Sequence, residues 1–224
     1  MNKRKSSLAL PALVFFALLM LSGCRETQPP IIHTQGIYML LDTSDISTFE
    51  LKKAQALINY ILGSLDPADS FAVAPLGSQS VREKTSIHQI TFDKRPSVAT
   101  NQKRVFAHKV DSFLKKRPKS PGPDISGGLL LAVEWLNQTK AGKKKILIFS
   151  DMEEEGSVPP PGDLQIPLEG FAVIALNVTT LRSATTDPRD YLDRLNGWRV
   201  KVESGGGTWL IINDLTRLEP VIGP

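Results

Sequence analysis

The chain has 224 residues, 41% hydrophobic and 22% charged, the balance of a globular protein and not of a disordered, collagen-like or repeat sequence. Its 27 basic and 23 acidic side chains give a pI near 9.2. Setting aside Lys3, Arg4 and Lys5 leaves 24 against 23, which excludes the clustered cationic surface of a nucleic-acid binder, and a single Cys excludes a disulfide framework or a site built from several thiolates.

Behind the three basic residues, Leu8 to Leu21 is uncharged, mostly apolar and broken by Pro11. It falls short of the roughly 20 residues that a helix needs to cross a bilayer, and reads as the hydrophobic region of a secretory signal. The stretch ends in Leu21-Ser22-Gly23-Cys24, which resembles the lipobox of bacterial lipoproteins. That resemblance implies that residues 1–23 are removed and that Cys24 is acylated, since two or three acyl chains hold a protein stably to a lipid bilayer. A plain signal peptide or membrane anchor with an incidental thiol is the alternative. Arg25 follows the Cys where an Asp does not, which for a Gram-negative lipoprotein implies the periplasmic face of the outer membrane. Residues 24–35 are polar and Pro-containing, a tether, and leave 36–224 for one α/β domain.

Gly36 to Leu41 is a continuous apolar run that stops at Asp42, the pattern of a strand buried on both faces. From Phe49 the period turns helical, with Leu51, Ala54, Ile58, Ile61 and Leu65 on one stripe closed by Asp66-Pro67. Phe71 to Leu76 predicts a second buried strand and Ile87 to Phe92 a half-covered edge strand. Asn101 to Lys116 predicts an amphipathic helix through Val105, Phe106, Val110, Phe113 and Leu114. Asp124 suits the cap of a further helix through Trp135, apolar almost all round. Lys143 to Phe149 is the next strand, and Gly156 to Gly170, with three consecutive prolines, reads as an extended surface loop. Phe171 to Leu176 is another buried strand, Asp187-Pro188 opens a helix through Leu192, Leu195 and Trp198, and Thr208 to Ile212 is the last strand. Strands alternating with helices predict a doubly wound α/β fold, a mostly parallel six-stranded sheet with helices on both faces.

In such sheets the ligand crevice lies outside the carboxyl ends of the strands, where the strand order reverses. Two apolar strands end in an acid: Leu41-Asp42-Thr-Ser44-Asp45-Ile46-Ser47 and Phe149-Ser150-Asp151-Met-Glu153-Glu-Glu155. Here the chain resembles a von Willebrand factor A (vWA) domain, in the order and spacing of elements over most of residues 36–213. The resemblance implies a metal-ion-dependent adhesion site, with an Asp-x-Ser-x-Ser loop after the first strand, a Thr from a second loop and an Asp after the fourth strand. Asp42, Ser44 and Asp151 match it. Ile46 stands at the third loop position with Ser47 one place late, and Pro123 stands where the Thr would be. Asp45, Asp124 or Glu153 are the substitutes within reach in sequence. Mg2+ or Mn2+ prefers six oxygens and keeps several waters, so an incomplete set implies weak binding. The same residues have plainer roles open to them: Asp42 and Ser44 as helix cap or turn acceptors, Asp151 as a turn residue, Glu153 to Glu155 as a solvated run.

Other chemistry finds little support. There is no phosphate-binding Gly-rich loop, no dinucleotide fingerprint and no G-x-S-x-G elbow. His33, His88 and His108 fall in a tether, an edge strand and a helix, and Ser44 stands where a haloacid-dehalogenase-like Asp-x-Asp loop would need its second acid. The expectation is a non-enzymatic, membrane-anchored envelope protein that binds a partner protein through its strand-end face, with or without metal. A metal-dependent phosphoester hydrolase using Asp42 and Asp151 is the alternative from another class.

Overall fold

A computed structural model describes residues 33–43, 46–76, 87–116, 124–153, 165–176, 188–214 and 217–223. The sheet has six strands: β1 (Gln35–Leu41), β2 (Ser70–Pro75), β3 (His88–Thr91), β4 (Lys143–Phe149), β5 (Phe171–Leu176) and β6 (Thr208–Ile212). Their order is β3-β2-β1-β4-β5-β6, parallel except for β3, which runs antiparallel to β2. Every residue of β1 and β2 is buried, as their unbroken apolar runs require. β3, whose residues are alternately half-buried and exposed, is the half-covered edge strand that its sequence predicts.

Alternate residues of β1 face two separate cores. Ile37, Met39 and Leu41 pack with helices α1 (Thr48–Ser64) and α2 (Pro96–Lys116), while Tyr38 and Leu40 pack with α3 (Ile125–Thr139) and α4 (Pro188–Ser204). A short α5 (Glu219–Ile222) adds Ile222 to the first core. On the second, Gly128 lets α3 approach closely, since a Cβ there would meet Leu76 and Leu40 at 3.0–3.2 Å.

Several boundaries differ from the sequence pattern, each for a local reason. α2 begins at Pro96 and not near Asn101, because a proline in the first turn has its φ preset and no amide to leave unbonded. Its buried stripe is Ala99, Phe106, Val110, Phe113 and Leu114; Val105, about 100° round the helix, is exposed. α3 runs on past Trp135 to Thr139, where Lys140 closes it in the left-handed conformation. On α4 the inward residues are Leu195, Trp198 and Val202, and Leu192 faces outward. The expected surface loop ends inside the protein, for Ile166 and Leu168 are fully buried against α4; its proline-rich part, 154–164, lies outside the described residues, as does Asp187.

Candidate functional site

The strand order reverses between β1 and β4. β1 connects towards β2 on one side, and β4 continues to β5 and β6 on the other, so the crevice rule points to the carboxyl ends of these two strands. Leu41 and Phe149 are partners in register, so the next residues, Asp42 and Ser150, leave the sheet side by side.

The backbone amide of Asp42 donates to the Phe149 carbonyl (3.0 Å), and that of Ser150 to the Leu176 carbonyl (3.3 Å). The Ser150 hydroxyl donates to Asp42 Oδ2 (3.3 Å) and accepts from the Met152 amide (3.1 Å). Asp151 Oδ1 accepts from the Glu153 amide (3.1 Å), a local turn of the kind short acidic side chains form. Asp42 is 5% and Asp151 8% exposed, and Thr43 is buried beside them. Met152 takes a positive φ of 67° with its side chain fully buried. Its carbonyl accepts from Trp198 Nε1 (3.1 Å), which ties this loop to α4.

The structure places Asp42 and Asp151, both buried, just beyond the carboxyl ends of the paired strands β1 and β4, and adds Ser150, which the sequence reading passed over. The signal for Ser150 was its position: one residue beyond β4, it faces Asp42 only once the β1–β4 register is known. Ser44, Asp45, Pro123 and Cys24 lie outside the described residues.

The substitutes have other partners. Asp124 caps α3, its Oδ1 accepting from the Gly127 amide (2.8 Å). Glu153 pairs with Arg194 (2.8 Å). Ile46 belongs to the core against α1 and α2, and Ser47, one place on, is the N-cap of α1 in a capping box: its hydroxyl accepts from the Glu50 amide (3.2 Å) and its amide donates to Glu50 Oε2 (2.9 Å). The third oxygen of the loop is therefore replaced by a core side chain, and the neighbouring serine is committed to the helix.

The donors that remain are carboxylate and hydroxyl oxygens, the type a hard divalent cation takes. They match it in kind but are few. Among the described residues no group of three or more His, Cys, Asp or Glu side chains is placed to hold a metal ion. Of the expected set Asp42, Ser44 and Asp151, the described residues that would hold one are Asp42 and Asp151, with Ser150 beside Asp42. Bound there, the ion would offer a positive charge with open positions for water or a partner's carboxylate.

No protein-family model matches the sequence, and no curated protein matches it. By structure the chain is similar to a von Willebrand factor type A protein from Catenulispora acidiphila, with a TM-score of 0.52 and 14% identity over 85% of this chain and 41% of that one. This chain therefore spans less than half the length of that structure. It is also matched to an aerotolerance-related membrane protein from Bacteroides fragilis (TM-score 0.44, 12% identity, 84% of this chain and 96% of that one). A third match is the conserved hypothetical protein BatB from Bacteroides thetaiotaomicron (0.44, 15%, 84% and 95%). The fold is that of a vWA domain: a six-stranded, mostly parallel sheet between two layers of helices.

Proposed function

We propose that this chain is a lipid-anchored protein of the cell envelope whose vWA-type domain binds a partner protein through the carboxyl end of its sheet, with Mg2+ or Mn2+ held weakly at Asp42 and Asp151. One observation supports the reading: Asp42 is buried at the strand-order reversal and accepts from Ser150, whose chain neighbour Asp151 is buried too. Burying carboxylates costs free energy, and a fold places them at its ligand crevice at the expense of stability. A divalent cation there would be completed by water or by an acidic side chain of the partner. Support for the anchor comes from Leu21 to Cys24; the tether expected over residues 24–35 gives up Gln35, which is the buried first residue of β1. Among the described residues no helix is long and apolar enough to cross a membrane.

The test is capture from envelope extracts with the full-length chain, with Mg2+ and with chelator, beside Asp42→Ala and Asp151→Ala. Capture of one defined partner, weakened by chelator and by either substitution, is the expected result. A partner held equally by all three chains would place the contact elsewhere. Separately, Cys24→Ser is expected to stop processing or to release the protein from membranes. A variant that matures and stays with membranes through a high-salt wash contradicts the anchor.

A further inference from the structure

The two edges of the sheet differ in chemistry. β3 is four residues long and mainly polar, and its His88 ring meets Phe113 of α2 edge to face. β6 reads Thr208-Trp-Leu-Ile-Ile212, with neither a charged residue nor a proline, the devices that keep edge strands from pairing with other chains. Trp209 packs on the α3–α4 side and Ile212 on the α1–α2 side, so consecutive residues face opposite layers. Leu210 is 39% and Ile211 42% exposed. The helical layers cover Ile212 and part of Trp209, and leave Leu210 and Ile211, on opposite faces of β6, as its part-exposed apolar residues.

We propose that β6 pairs antiparallel with β6 of a second copy of this chain, across a two-fold axis through Leu210, and so joins two six-stranded sheets into one. The strand's self-complementarity selects this occupant. Leu210 is the midpoint of β6, so a two-fold there is the register in which all five residues pair. Leu210 meets its own counterpart, Trp209 meets Ile211 of the second copy, and Thr208 meets its Ile212. Aromatic and β-branched cross-strand pairs are favourable, and no like charges oppose one another. The first charged residue beyond the strand, Asp214, falls opposite Gly206 of the second copy and not opposite its own counterpart. The contact is isologous, so it closes at two copies and builds no filament. A five-residue ladder is a small interface, and the dimer is weak in solution. Anchoring both copies to one membrane raises their effective concentration.

The full-length chain carrying Cys24→Ser has no thiol, which separates this test from the lipidation reading. In that background, Leu210→Cys places two thiols on facing residues whose Cα atoms are about 4.5–5.5 Å apart, within disulfide reach. Thr208→Cys is as exposed but lies about 13 Å along the strand from its counterpart. Mild oxidation is expected to yield a disulfide-linked dimer at least tenfold faster from Leu210→Cys than from Thr208→Cys. Equal rates, or no dimer from either, overturn the proposal. Sedimentation of the Cys24→Ser chain is expected to show a dimer that grows with concentration and is lost in Leu210→Lys, with circular dichroism of that variant as the check that it folds. A chain that stays monomeric at every concentration, or a dimer indifferent to Leu210→Lys, overturns it equally.

Discussion

Ser150 is one hydroxyl with two tasks. It donates to Asp42 and accepts from the Met152 amide, so it joins the end of β1 to the turn that carries Asp151. Ser150→Ala leaves a buried amide without that acceptor and is expected to lower stability by about 1–3 kcal/mol in urea unfolding. It is also expected to weaken any Mg2+ binding seen by calorimetry, because Asp42 loses the contact that orients it. Ile46 behaves in the opposite way. By its place in the sequence it stands at a ligand position, yet its side chain is packed in the core beside α1. Ile46→Ser is expected to cost roughly 2–4 kcal/mol and to leave Mg2+ affinity unchanged, since a hydroxyl there enters the core and not the crevice. A rise in affinity on calorimetry would show that the loop can turn residue 46 outward.

Elements were legible wherever burial is symmetric. β1, β2 and β5, and β4 beyond its three opening lysines, carry apolar runs because helices cover both faces, and their alternation with amphipathic segments specified the doubly wound sheet. The two acids were legible for the same reason, since each ends such a run. What escaped the pattern depends on contacts between distant segments. Ile166 and Leu168 sit in a stretch without periodicity, yet they pack under α4, and the turn after α4 is shaped to receive them. Leu168 donates its amide to the Gly205 carbonyl (2.8 Å), and a Cβ on Gly205 would run into the backbone carbonyl of Ile166. Gly205→Ala is therefore expected to lose about 1–3 kcal/mol, read as a lower urea midpoint, because backbone must move where a flexible side chain could have yielded. The capping box at Ser47 was readable as Ser-x-x-Glu, and it gives the serine one place beyond the third loop position its role at the start of α1.

At the scale of the molecule the described residues place buried polar groups at both ends of the sheet. At the amino end, Asp69 accepts from the Gln35 amide (2.8 Å) and from the Asp66 amide (2.7 Å), so one buried carboxylate holds the start of β1 to the turn before β2. Lys145 of β4, also buried, donates to Gln35 Oε1 (2.9 Å) and to the Gly223 carbonyl (3.4 Å). This network ties β1, β4 and the segment after α5 together. Burial, and then the charge of Lys143, hold the Lys145 ammonium below the usual lysine range, against an opposing pull from Asp69. The unfolded chain therefore binds this proton more tightly than the folded one. The cost of burying the charge is fully present below the folded pKa and disappears as pH rises to about 10.5, the ordinary lysine value. Over that alkaline window this group makes folding more favourable with rising pH, and Lys145→Met removes the contribution. Urea unfolding of both chains from neutral pH to about pH 10.5 is expected to show the stability of the native chain rising relative to that of Lys145→Met. Parallel curves would mean that Gln35 and Gly223 solvate the ammonium as well as water does, and that the amino end of the sheet is held by hydrogen bonds with no net charge penalty.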